Sequence, residues 1–200
     1  MNIYLIRHGQ TVSGLNFNED MQCPDPALDE TGKEQAILLA QRMQRFAIRT
    51  IYSSDLERTR QTAQVLNRFT YARVVLRPEL REINMGEIWL KGWQAFPEFS
   101  EEWSKHETDL PYPRGECGAD VMKRIQPVID GILTGVDENV AIVTHGGVIM
   151  ILLSAILGMG QEKRFQFAPV ANCSISTLVY DREQDSLKVS QVNDVAHLER

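Results

Sequence analysis

The stretch 3-IYLIRHGQT-11 sets the apolar run Ile3–Ile6 directly against Arg7, His8 and Gly9. A short apolar run without alternation predicts a strand buried on both faces, as in a parallel sheet. Gly9 and Gly14 mark the loop beyond it. The same grammar returns at 139-NVAIVTHGGVIMILLSAILG-158, with a strand over Val140–Val143, a histidine–glycine turn, and an apolar helix stopped near Gly158.

Between and around these two units, strands alternate with helices. Asp29 or Thr31 can cap a helix whose apolar face is Ala36, Leu39, Ala40, Met43 and Phe46. A brief strand at Ile51 and Tyr52 leads to Ser53 and Ser54, read as N-caps of the helix in 55-DLERTRQTAQVL-66, with Arg58 about one turn inside it. Val74–Leu76 reads as a strand ended by Pro78. Gly118–Leu133 reads as a helix with Val121, Met122, Ile125, Val128, Ile129 and Ile132 on one face and a kink at Pro127. Two strands, Ser174–Tyr180 and Leu187–Val192, flank the polar turn 181-DREQDS-186. This order predicts an α/β sandwich around a mostly parallel sheet, with ligands beyond the carboxyl ends of the strands.

At 200 residues the chain suits one domain, 1–200. Its 43% hydrophobic and 24% charged residues argue against disorder. A net charge of -6 without a basic tail or run argues against nucleic-acid and membrane-surface partners. Cys23, Cys117 and Cys173 form no CxxC pair, and no secretory leader is read at the N-terminus, so a reducing, cytoplasmic setting is expected. The longest apolar stretch, 148-VIMILLSAIL-157, falls short of the roughly 20 residues that span a bilayer.

Arg7, His8, Arg58 and His145 each follow a predicted strand, directly or within the first turns of a helix. Converging, they would repel one another unless an anion filled the crevice; a phosphate offers the charge and paired oxygens that guanidinium forks recognise. Neighbouring arginines disfavour imidazolium, and a neutral ring nitrogen at phosphorus is a nucleophile. The helix start at Ser54 can add backbone N–H groups. A departing alcohol needs a proton, for which Glu82 in 80-LREINMGE-87 is the expected source and Glu87 the fallback. The rival readings are histidines that merely occupy turns and an arginine that is only a surface charge. A metal-dependent hydrolase would need more: the other histidines, His106 and His197, form no pair at ligand spacing.

Taken in order, LIRHGQT, YSSDLERTRQTA, LREINMGE, GEC and VTHGG resemble the motifs of the histidine phosphatase superfamily, the phosphoglycerate mutase-like fold. The resemblance implies a three-layer αβα sandwich with a small helical cap inserted at approximately 85–114. It implies a phosphorylated His8, a clamp of Arg7 and Arg58 completed by His145, and Glu82 as general acid and then base. Thr11, Gln22 and Gly146 are the accompanying substrate-binding expectations, and no metal or cofactor is expected. The expected partner is a small phosphate ester, and a homodimer is left open. HGG, the short chain and 172-NCSIS-176 resemble phosphatase branches more than mutases. A phosphomutase and a catalytically idle phospho-ligand module are the alternatives.

Three positions depart from the family pattern. Gly14 stands where an asparagine usually contacts phosphate, leaving Asn16 or Asn18 to supply that contact. Thr59 replaces the usual alanine, and 86-GEIWLKG-92 replaces GxWEG. The segment that follows is dense in aromatics: Trp89, Trp93, Phe96, Phe99 and Trp103, with Pro97 placed to open a short helix. Trp89, Trp93, Phe96 and Trp103 fall near one helical stripe. They either pack the cap onto the core or, through Trp89 and Trp93, contact the body of the substrate.

Overall fold

In the computed structural model, which describes residues 1–14, 16–135 and 138–199, the run Ile3–Ile6 is buried throughout and lies at the middle of a sheet. The elements in chain order are β1 (Asn2–Arg7), the short hairpin β2 (Phe17–Asn18) and β3 (Cys23–Pro24), α1 (Glu30–Met43), β4 (Thr50–Ser53), α2 (Glu57–Thr70) and β5 (Arg73–Leu76). There follow α3 (Ile88–Lys91), α4 (Pro97–Ser104), α5 (Gly118–Gly135), β6 (Val140–Thr144), α6 (Gly146–Ile156), β7 (Ile175–Asp181) and β8 (Ser186–Asp194).

The 6-stranded sheet has the order β5-β4-β6-β1-β7-β8. β5, β4, β6 and β1 run parallel, and β7 and β8 close the far edge as an antiparallel pair. Register matters more than order here. Arg7 pairs with Thr144, and Ser53 pairs with Val143, so the carboxyl ends of three adjacent strands lie level. Two further bonds carry the ladder past the strand ends: His8 N–H donates to the Thr144 carbonyl and Ser54 N–H to the Val143 carbonyl, both at 3.0 Å.

Alternation along the strands sorts the core into two layers. Ile3, Leu5, Val140, Ile142 and Leu178 face α5 and α6, packing against Ile125, Ile129, Ile149 and Leu153. Tyr4, Ile6, Ile51, Ala141 and Val143 face α1 and α2, packing against Leu39, Met43, Ala63 and Leu66. Full burial of each large aliphatic side chain contributes about 1.5–3 kcal/mol relative to exposure. The expected three-layer sandwich is thus observed. Among the described residues, no helix is long and apolar enough to cross a membrane.

Local signals are honoured unevenly. Asp29 caps α1, its Oδ1 accepting the Gly32 N–H at 2.7 Å. α5 runs unbroken through Pro127. The caps expected of Ser53 and Ser54 are not made: Ser53 ends β4, and α2 starts after Leu56, which offers no side-chain cap. The Asp25 carboxylate instead reaches in from beyond β3 to accept the Glu57 N–H at 2.6 Å. The aromatic segment holds the expected second short helix opening on Pro97, but no continuous helix carries its stripe. It breaks at Gly92 into α3, a 3-10 turn over Trp93–Ala95, and α4, which opens on Pro97. Trp93, Phe96, Phe99 and Trp103 pack against the α5–α6 side of the core, with Trp93 and Trp103 ring centroids 4.8 Å apart.

The loop after β1 is pressed onto the first turn of α1. A Cβ on Gly32 would lie 2.0 Å from the Gln10 carbonyl oxygen, and one on Gly9 would lie 2.6 Å from that of Gly32. Gly131, inside α5, has nothing within 4 Å of the same position. Gly131→Ala should therefore raise the urea midpoint, gaining about 0.5–1 kcal/mol. Gly32→Ala, the same exchange in another helix, should instead lose ~1–3 kcal/mol through overpacking. Equal shifts of the same sign would contradict the close contact.

Candidate active site

His8, the first residue past β1, is 7% exposed, and its two ring nitrogens have different neighbours. Nδ1 lies 2.8 Å from the Gly9 carbonyl, which can only accept, so Nδ1 carries the proton. Nε2 is then a lone pair, and it accepts from Nε of Arg58 at 3.2 Å. Three bonds hold the His8 and Arg7 backbone from the β7 side: Asn172 Nδ2 donates to the His8 carbonyl at 2.9 Å, and Cys173 N–H donates to the carbonyls of Arg7 at 3.0 Å and His8 at 3.2 Å. Asn172 had no assigned role in the sequence; its partner lies 164 residues away.

Arg58 is the second residue of α2 rather than a turn inside it, and is 8% exposed. A cation is disfavoured at a helix N-terminus. Its position is held by Nη1 donating to the Pro24 carbonyl at 2.9 Å and by Asp25, whose carboxylate is 4.0 Å away. On the other side of His8, Arg7 donates through Nη1 to the Val170 carbonyl at 2.6 Å, while its buried Nε has no hydrogen-bond partner among the described residues.

His145 is fully buried at the N-cap of α6, its ring centroid 5.2 Å from that of His8. Its Nε2 lies 3.0 Å from Ser54 Oγ, which itself accepts the Leu56 N–H at 3.4 Å. Ser54 Oγ can either donate to or accept from Nε2, so this bond fixes no tautomer; with the ring proton on Nδ1, Ser54 is the donor. That Nδ1 is also buried without a partner. Arg7 Nε and His145 Nδ1 are thus two buried polar atoms without hydrogen-bond partners among the described residues, one on the residue next to His8 in the chain and one on the ring in contact with it. Buried polar groups of this kind are normally paired, and an oxyanion would satisfy both. Gly146 begins α6 beside them; a Cβ there would stand 3.5 Å from Arg7 Nε.

Glu82 reaches the same place from the loop after β5. Its two carboxylate oxygens accept the N–H groups of Ile83 at 2.9 Å and Gly147 at 3.2 Å, and its charge supports those of Arg7 and Arg58. Glu82 lines a cleft of about 250 Å³ together with Cys23, Asn84, Glu116 and Arg124, and Asn84 also lines a second cleft, of about 330 Å³, with Phe17, Gln22, Glu87, Leu90 and Arg114. Gln22 therefore borders this cleft, and so does Glu87. Trp93 packs against the α5–α6 side of the core, and neither it nor Trp89 lines this cleft. Thr11 forms a β-bridge with Leu28. Asn16 Nδ2 donates to the Asp25 carbonyl and Asn18 Oδ1 accepts the Met21 N–H, so both brace the β2–β3 hairpin. Gly14 has φ +99°, a conformation an asparagine there would adopt only under strain.

Burial, then Arg58 and Arg7, push the His8 pKa from 6.5 down to about 3. Burial, then Arg58 and His8, hold His145 well below 6.5. Both rings are neutral in the folded chain at pH 7. Below pH 6.5 the unfolded chain takes up protons that the folded one refuses, so stability falls as pH drops from 6.5 toward 3. Each such histidine adds about 1.4 kcal/mol per pH unit to that slope. His8→Gln should flatten the pH dependence of urea stability between pH 6 and 4; a wild-type slope in the variant would contradict a neutral, depressed His8.

The model of the histidine phosphatase superfamily (branch 1) matches residues 3–194. A protein of Erwinia tasmaniensis described as probable phosphoglycerate mutase GpmB is 33% identical over 210 residues, covering 100% of this chain and 95% of the relative. Its counterpart in Escherichia fergusonii is 31% identical over the same shares. Among solved structures, a mycobacterial glucosyl-3-phosphoglycerate phosphatase matches with TM-score 0.80 at 26% identity, over 98% of this chain and 99% of that one. A phosphoserine phosphatase from Entamoeba histolytica, solved with 3-phosphoglyceric acid, has TM-score 0.80 at 24% identity over 99% of each chain, a likeness of fold. The family match enters in β1 and leaves at the last residue of β8, so that nearly the whole sheet and every element bearing the buried histidines and arginines fall inside it: this chain belongs to the histidine phosphatase superfamily.

Proposed function

We propose that the protein is a metal-independent phosphatase of small phosphomonoesters, working through a phosphohistidine at His8. The observation that carries this reading is the lone pair of His8 Nε2 beside the Arg58 guanidinium and a second buried imidazole, with Arg7 Nε and His145 Nδ1 buried and unpartnered among the described residues. In the first step Nε2 attacks phosphorus, an N–P bond forms, the ester P–O bond breaks, and Glu82 gives the leaving oxygen its proton. Arg7, Arg58, His145 and the amino end of α6 stabilise charge on the transferring oxygens. In the second step water attacks phosphorus, Glu82 takes the water's proton, and the N–P bond breaks to release phosphate and neutral His8.

A mutase reading draws on the description of the relatives as probable phosphoglycerate mutases. A mutase must keep its phosphoryl intermediate in the site until transfer is complete and keep water from the phosphoenzyme. The cleft here is open, bordered by Leu90 at 63% exposure and by the Arg114 side chain at 85%, which supports transfer to water.

Chelator-treated protein should release inorganic phosphate from a panel of metabolite phosphates, with an acid-labile phosphoenzyme trapped on rapid quenching. His8→Ala should abolish both, by at least about 10³-fold. Release no higher than in His8→Ala would refute the reading. On one bisphosphate substrate, phosphoryl transfer to a second hydroxyl outpacing phosphate release would establish the mutase instead.

A further inference from the structure

Arg124 lies on α5, outside every role assigned above, yet all three of its guanidinium nitrogens are engaged around the loop that carries Glu82. Nε and Nη2 clasp the Glu116 carboxylate at 2.7 and 2.9 Å. Nη1 donates to the Glu79 carbonyl, and Nη2 also reaches the carbonyl of Glu82 itself at 3.2 Å. Glu116 in turn holds the other side of the acid. Its Oε2 accepts the Asn84 N–H at 2.9 Å, and its own N–H donates to the Asn84 carbonyl at 2.8 Å.

One ion pair thus brackets Glu82 on both sides, through residues 79 and 82 before its side chain and residue 84 after it. The two side chains are only 22% and 24% exposed, so the pair is sheltered from competing water. An arginine serving only to neutralise Glu116 would need no bonds to the acid's own backbone. The planar fork suits this task because it can satisfy a carboxylate and two carbonyls at once, which an ammonium cannot do with the same geometry.

We propose that the Arg124–Glu116 pair is a positioning device for Glu82, setting its reach to the leaving oxygen and thereby the ability to cleave esters whose alcohols cannot depart unprotonated. This rests on Glu82 being the proton donor. The prediction is selective by leaving group. A nitrophenolate leaves without a proton, whereas the alkoxide of glycerol 3-phosphate needs one.

The test compares kcat/KM, which reports events up to departure of the leaving group, for p-nitrophenyl phosphate and glycerol 3-phosphate. Arg124→Gln should lower the alkyl ester value by about 10–100-fold and the aryl value by less than about threefold, a fraction of what a general acid contributes. Glu116→Gln, which keeps the shape and loosens the fork, should show the same selectivity more weakly and serves if Arg124→Gln does not fold. Equal losses on both esters, or none on either, would overturn the proposal. Glu82→Gln run in parallel separates the two claims: if it shows the leaving-group selectivity and the Arg124 and Glu116 variants do not, only the positioning role fails. If Glu82→Gln is itself unselective, the assignment of Glu82 as acid fails and this inference with it.

Discussion

Parallel pairing of Arg7 with Thr144 is the contact on which the rest of the site depends. It brings two strand ends level, so His8 and His145 emerge side by side although 137 positions separate them, since 145 − 8 = 137. The pairing of Ser53 with Val143 does the same for the start of α2, delivering Ser54 and Arg58 to the same rim. A slip of one residue in either ladder would turn every core side chain of the strand to the opposite face. Burial of Ile3, Leu5, Val140 and Ile142 on one face and of Ile6, Ala141 and Val143 on the other makes such a slip costly. The register that brings these residues together is therefore maintained by ordinary hydrophobic packing well below them.

The rim so assembled has a surplus of positive groups held near one another. Burial and the two arginines keep both imidazoles neutral, which removes two charges that would otherwise add to the repulsion. Glu82 and Asp25 offset the arginines in part. Proton affinity and nucleophilicity are linked through this arrangement. The same guanidinium groups that suit a phosphoryl dianion also keep the His8 lone pair unprotonated at neutral pH.

Much of this was legible in the sequence because it was written in local patterns. Apolar runs ending in His–Gly gave away β1, β6 and the two histidines, and Asp29 read correctly as a cap because its partner is only three residues away. What escaped reading was side-chain competition across the fold. The Ser54 hydroxyl looked like a helix cap, but it is engaged by His145, 91 residues on, and Asp25 serves the helix instead. Asn172 and the Arg124–Glu116 bracket depend on contacts that no spacing rule reports. The aromatic stripe failed for a different reason: Gly92, at φ +75°, interrupts the helix on which the spacing was counted.

The bond between Arg58 Nε and His8 Nε2 gives the resting protein a form of discrimination that precedes chemistry. While that bond stands, the reactive nitrogen is covered. On the proposed reading, an incoming dianion would offer the guanidinium a better partner and so uncover that nitrogen, whereas an uncharged electrophile would have nothing to exchange for it. Recognition of charge and exposure of the nucleophile are, on that reading, a single event at a histidine that is otherwise buried.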